Sequence, residues 1–99
     1  MAGQGRTAEA MHHYRESLKY NPNLAMTRNN LANMLVQQGK IDEALENYMK
    51  AIAIDPDFAA AHKNLGLLLA STGRPAEAAP HFETARRLEA GATGRRKTE

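Results

Sequence analysis

The chain has no cysteine and no tryptophan among its 99 residues, and only three Tyr and two Phe. The lack of cysteine excludes disulfides and thiolate metal sites. With so few aromatic rings, a core must be built mainly from Ala, Leu, Ile and Met. Hydrophobic residues make up 42% of the chain, which is enough for that core. The length corresponds to one domain.

Long apolar runs are also missing. No stretch approaches the roughly 18 apolar residues that a membrane span needs, and the polar N-terminal segment lacks the apolar region of a signal peptide. We therefore expect no membrane association. A reducing, cytoplasmic setting follows as the default expectation for the chain.

Most of the chain has no excess of positive or negative charge. The net charge is +2, and residues 1–90 carry ten basic and ten acidic groups. The excess lies in residues 91–99, where Arg95, Arg96 and Lys97 face a single Glu99. Nucleic-acid surfaces cluster basic residues on a folded face, so we expect no nucleic-acid partner. Residues 91–99 are predicted to be a disordered basic tail.

What the chain does have is a sequence pattern that recurs at a fixed period. Gly-Arg-Thr-Ala-Glu-Ala begins at Gly5, Gly-Lys-Ile-Asp-Glu-Ala at Gly39, and Gly-Arg-Pro-Ala-Glu-Ala at Gly73. Further columns keep the same step: Tyr14/Tyr48/Phe82, Ser17/Ala51/Ala85 and Pro22/Pro56. A fixed period indicates one small unit copied along the chain, which buries its core against neighbouring copies. Such an array favours a surface that holds another molecule over a catalytic pocket.

Two helical stretches alternate with turn signals in each period. Helical spacing over 58–72 places five residues on one stripe: Ala61, Leu65, Leu68, Leu69 and Thr72. Gly73 follows as a predicted left-handed helix cap. Pro75 suits the first turn of the next helix. The apolar stripe of that helix is Ala78, Phe82, Ala85 and Leu88. The preceding period predicts helices over 25–38 and 41–54 in the same way, with a turn at Pro56.

Small side chains recur where the two helices of a unit should approach closely. The columns are Ala32/Gly66 and Ala10/Ala44/Ala78, beside the aromatic column of Tyr14, Tyr48 and Phe82. A glycine inside a helix costs about 1 kcal/mol relative to alanine. We therefore expect Gly66 to make a contact that excludes any Cβ.

These residues resemble the tetratricopeptide repeat, a helix-turn-helix unit of about 34 residues, which is the step between Gly5, Gly39 and Gly73. The match rests on Leu31, Ala32, Gly39, Ala44, Tyr48, Ala51 and Pro56 in one unit, and on Leu65, Gly66, Gly73, Ala78, Phe82 and Ala85 in the next. It departs from the family where Arg28 and His62 occupy a column that often holds an aromatic residue. The resemblance implies an all-α solenoid of five helices in a right-handed superhelix. The repeat domain would span 1–90, with a half repeat at 5–22 and full repeats at 23–56 and 57–90.

The two ends of the array differ. Residues 5–22 match only the second helix of a unit, so Ala10, Tyr14 and Ser17 should lie on an open face. At the other end, Arg86 and Ala79 replace larger apolar residues, which suits a solvated last face. This asymmetry predicts either the C-terminal part of a longer repeat protein or a short one whose open face is covered. A weak homodimer through that face is the corresponding expectation.

The resemblance also implies a concave groove, lined by the first helix of each unit, that receives a peptide. Carried onto this chain, the groove residues are Met26, Asn29, Asn30, Asn33, Gln37, Lys63, Asn64, Leu67 and Ser71. Asn30 and Asn64 share one column, although Asn is a poor helix former. Because an Asn amide both donates and accepts hydrogen bonds, such a pair can bind a peptide backbone. The pattern is similar to the asparagine ladder of O-linked N-acetylglucosamine transferases. Alternatively, both residues bond neighbouring helices or water.

Other sites have weaker support. A clamp for a C-terminal carboxylate, another use of this family, would need more than Lys63 and the nearby Asn residues. His12 and His13 are adjacent and point about 100° apart on a helix, while His62 and His81 lie in different helices, so we expect no metal site and no cofactor. The repeated Glu9, Glu43 and Glu77 suit capping or ion pairing, and no catalytic motif is present.

We therefore expect a non-enzymatic protein–protein interaction module that binds an extended peptide or partner helix. The alternative is a substrate-delivery arm of a larger enzyme, such as a glycosyltransferase, with catalysis outside this chain.

Overall fold

The computed structural model describes the backbone of residues 2–98 and the side chains of residues 6–91. All regular structure in that part of the chain is helical, as the resemblance implied. The five helices are α1 (Ala2–Tyr20), α2 (Ala25–Gln37), α3 (Ile41–Ile54), α4 (Ala59–Ser71) and α5 (Pro75–Thr98). They fall into two compact units, residues 1–56 with α1 to α3 and residues 57–99 with α4 and α5.

Glycines end the first helix of each full repeat, which confirms the predicted caps. Gly39 has φ +76° and Gly73 has φ +81°, in the left-handed region that glycine occupies readily. The amide of Lys40 donates to the carbonyl of Leu35 (2.9 Å), and that of Gly39 to Val36 (3.0 Å). This is the Schellman pattern, and equivalent bonds surround Gly73. The cap reverses the chain into the following helix.

The core of the first unit lies where α2 and α3 pack together. It contains the predicted small residues Ala32 and Ala44, both fully buried, with Leu35 and the 3% exposed Tyr48. From α1, Met11 is 2% exposed and joins this core. The predicted open face of α1 is more exposed to solvent, since Ala10 and Tyr14 are partly exposed and Ser17 is exposed.

In the second unit, α4 and α5 pack through the predicted stripes. Ala61, Leu65, Leu68 and Leu69 of α4 are buried with Ala78 and Ala85 of α5. Thr72 was expected in the α4 stripe but lies exposed after the helix, where its hydroxyl donates to the carbonyls of Leu68 and Leu69.

Gly66 makes the close contact that the column of small residues predicts. A Cβ at this position would lie 2.9 Å from Cε1 of Phe82, which is closer than two carbon atoms of packed side chains approach each other. The glycine therefore lets the Phe82 ring lie directly on the backbone of α4.

The last helix, α5, contains a proline that the helical pattern does not anticipate. Pro80 lies inside the helix, where it removes one backbone N–H donor. The hydroxyl of Thr84 donates to the Pro80 carbonyl (2.9 Å), and the helix continues past this point. Helix α5 also includes residues 91–98 of the tail. The side chains from 92 onward lie outside the described residues, so the disorder of this tail stays a prediction.

Candidate functional site

On α2, the predicted groove positions lie at helical spacing and differ in exposure. Met26 is 68% exposed, Gln37 is exposed and Asn30 is partly exposed. Asn29 is only 6% exposed, so little of its side chain is available to a ligand.

Asn33, a further groove position, has a role within its own repeat. Its Oδ1 accepts a hydrogen bond from the Tyr48 hydroxyl at 2.5 Å, which ties α2 to α3. Burial raises the pKa of Tyr48 to about 12, because the phenolate would lose its hydration. The carbonyl oxygen of Asn33 favours the same neutral form. The family resemblance assigned Asn33 to the groove and did not predict this bond.

On α4, four groove positions lie along one strip of the helix. Lys63 and Ser71 are exposed, Leu67 is 54% exposed and Asn64 is partly exposed. The Ser71 hydroxyl donates to the carbonyl of Leu68 (2.9 Å), as a serine often does near a helix end. The first helix of each full repeat, α2 or α4, therefore presents a partly exposed Asn together with an exposed apolar side chain.

In each full repeat, a pair of side chains at equivalent positions connects the two helices. In the first unit, Nη1 of Arg28 donates to Oδ1 of Asn47 (3.0 Å), and its Nε donates to the carbonyl of Pro22 (3.0 Å). At the equivalent position of the second unit, Nδ1 of His62 lies 3.3 Å from Nδ1 of His81. These two histidines were not expected to meet, because they lie in different helices. The two residues of each pair are 19 positions apart in both repeats. This shared offset is the sequence signal from which a contact between His62 and His81 could have been predicted.

One histidine of the pair is buried and the other is partly exposed. His62 is 7% exposed and His81 is partly exposed. Burial, with a smaller contribution from His62, lowers the pKa of His81, so its neutral imidazole is favoured at pH 7. By contrast, His12 and His13 are both exposed on α1, with ring centroids 5.9 Å apart.

Two of the three repeated glutamates, Glu43 and Glu77, form ion pairs. Glu43 of α3 bonds Arg15 of α1 at 3.3 Å, and Glu77 bonds Arg74 at the start of α5. The hydrogen bond from Arg74 lowers the pKa of Glu77. The Glu43 pair links α1 to α3, as ion pairing between helices predicts, whereas the Glu77 pair is local to the start of α5. Within residues 6–91 we find no group of three or more His, Cys, Asp or Glu placed to hold a metal ion.

None of the helices in the described part of the chain is long and apolar enough to cross a membrane.

Antiparallel helix pairs that recur at a fixed period define a helical-repeat protein. A family model described as TPR repeat matches residues 32–73, and one described as tetratricopeptide repeat matches residues 13–46. The chain belongs to the tetratricopeptide repeat family. Proteins of this class are interaction modules and typically non-catalytic scaffolds.

Solved structures support the same fold. A crystal structure of MamA is 26% identical with a TM-score of 0.84, over 90% of this chain and 52% of that one. A second crystal structure of MamA is 26% identical with a TM-score of 0.76, over 89% and 48%. The chain thus spans about half the length of the solved structures that it matches. A comparison with curated proteins gave no match.

Proposed function

We propose that this chain is a protein-interaction module that binds an extended peptide along the first helices of its repeats. One observation carries the proposal. Both α2 and α4 display a partly exposed Asn at the same repeat position, Asn30 and Asn64, with an exposed apolar residue on the same helix, Met26 or Leu67.

This combination suits the chemistry of an extended peptide. An Asn amide donates to a peptide carbonyl and accepts from a peptide N–H, which binds backbone with little dependence on sequence. The exposed apolar side chains add contact area for the side chains of the ligand. Exposed apolar residues on a folded surface often mark interaction sites when they occur together.

The test removes the two amides together. Each hydrogen bond contributes about 0.5–1.5 kcal/mol, so Asn30→Ala with Asn64→Ala should weaken binding by about 5- to 150-fold. Thermal stability should stay close to wild type, because both side chains are partly exposed. The ligand is a peptide selected on the wild-type protein from a random library, and affinity is measured by calorimetry.

A matched control changes one residue in each repeat on the second helices. Glu46→Ala with Glu83→Ala removes two exposed side chains from α3 and α5 and should leave the affinity unchanged. Equal affinities for the wild type and the double Asn variant would instead assign Asn30 and Asn64 a structural role.

The second candidate is a substrate-delivery arm of a larger enzyme, such as a glycosyltransferase. It is favoured by Asn29-Asn30-Leu31-Ala32 and Lys63-Asn64-Leu65-Gly66, which are similar to the asparagine runs of those enzymes. Sequencing the gene on both sides of this region separates the candidates, since a transferase domain supports the arm and further repeats alone support the scaffold.

A further inference from the structure

The histidine pair of the second unit has a geometry that its counterpart lacks. His62 on α4 and His81 on α5 point their Nδ1 atoms at each other across 3.3 Å, with ring planes inclined by 31°. A proton shared between the two nitrogens fits this distance. So does a single ion bound by both.

We propose that His62 and His81 form a two-histidine site for a divalent transition-metal ion, Zn²⁺ or Cu²⁺, bound through both Nδ1 atoms. Zinc–nitrogen bonds are about 2.0–2.1 Å long. Two such bonds to nitrogens 3.3 Å apart enclose an N–Zn–N angle of about 104–111°, close to the tetrahedral value. The distance between the two nitrogens therefore already fits an ion bound by both, and each ring has to turn so that its Nδ1 lone pair faces the ion.

The surroundings of the pair suit a metal ion that retains water ligands. His62 is 7% exposed and held within the helix pair, while His81 is partly exposed and opens the pair to solvent. No third His, Cys, Asp or Glu joins them in the part of the chain with described side chains, so water completes the coordination. Imidazole suits both ions, and Cu²⁺ binds more tightly than Zn²⁺ in the general order of affinities.

Binding requires a change of tautomer and no net loss of protons from neutral rings. The shared proton on one Nδ1 moves to Nε2 of the same ring, which leaves both Nδ1 lone pairs for the ion. Ligation by neutral imidazole is the usual mode for histidine. This tautomer change gives the site a spectroscopic signature that is independent of affinity.

The preceding repeat supplies a matched variant that removes the ligands and keeps the helix contact. Arg28 and Asn47 occupy the equivalent positions and are hydrogen-bonded at 3.0 Å. His62→Arg with His81→Asn copies that pair into the second unit. His81→Asn alone is the milder variant, since His81 is partly exposed.

The experiment titrates ZnSO₄ into the full chain near neutral pH, with calorimetry and imidazole ¹⁵N NMR as readouts. We expect one ion per chain, with the Nδ1 signals of His62 and His81 shifting together. Affinity should fall at least about tenfold, or about 1.4 kcal/mol, in both His81→Asn and the double variant.

A control removes the exposed histidines on α1. His12→Ala with His13→Ala should bind zinc like the wild type. Retained affinity in His81→Asn, loss of binding in the α1 variant, or no binding by the wild type at millimolar zinc would each overturn the proposal. Circular dichroism spectra that match the wild type show that the variants are folded.

Discussion

The contact between Gly66 and Phe82 makes a quantitative prediction about stability. Replacing Gly66 by Ala should strengthen α4 by about 1 kcal/mol through helix propensity. The new Cβ would, however, lie 2.9 Å from Cε1 and 3.1 Å from Cδ1 and Cζ of Phe82. Overpacking of this kind costs about 1–3 kcal/mol. The variant should therefore range from neutral to about 2 kcal/mol less stable than the wild type.

A double-mutant cycle separates the two effects. In a Phe82→Ala background the ring is gone, so Gly66→Ala should stabilise the protein by about 1 kcal/mol, the propensity term alone. The coupling free energy between the two positions should then be about 1–3 kcal/mol. Because Phe82 is 36% exposed, its ring can tilt toward solvent, which favours the lower part of this range.

Urea unfolding followed by far-UV circular dichroism measures all four free energies of unfolding. In thermal unfolding, a difference of about 1 kcal/mol corresponds to about 4–8 °C for a domain of this size. If Gly66→Ala stabilises both backgrounds by the same amount, the ring does not exclude a Cβ, and our explanation of this glycine is wrong.

Three further predictions concern Tyr48 and the two ends of the chain. Since the pKa of Tyr48 is raised from 10.0 to about 12, the folded chain binds more protons than the unfolded chain above pH 10. Stability should therefore fall by up to about 2–3 kcal/mol between pH 10 and 12, and Tyr48→Phe, compared by urea unfolding, should lose this part of the pH dependence. Truncation after Ala90 should leave the melting temperature unchanged, whereas a drop of several degrees would show that residues 91–99 stabilise the fold. Residues 6–20 should exchange amide hydrogens faster than the core of α2 and α4 in a mainly monomeric chain. A tight dimer in sedimentation at micromolar concentration, with protection of residues 6–20, would contradict that expectation.

The repeat period explains why the fold was predictable. Gly39 and Gly73 recur at the step that ends a helix, and their left-handed backbone agrees with the cap that this position requires. Ala32 and Ala44 fall in columns of small residues and are fully buried. These features are local or repeated, so the sequence contains enough information to place them.

The side-chain pairs were harder to predict, because they depend on which residues face each other across two helices. The family resemblance placed Asn33 in the groove, but the hydroxyl of Tyr48 donates to its Oδ1. His62 and His81 are far apart in sequence and meet only when α4 and α5 pack. Pro80 is a case in which a local sequence signal misleads. Proline argues against a helix interior, yet α5 continues through it.

We propose that the first helices of the repeats, α2 and α4, bind a peptide. The most direct measurement is a ¹H–¹⁵N NMR titration of the full chain with a peptide selected on it. We predict the largest shifts in α2 and α4, including the side-chain amides of Asn30 and Asn64. Shifts confined to the second helices, around exposed Met49 and Arg86, would contradict the claim and locate the binding surface elsewhere.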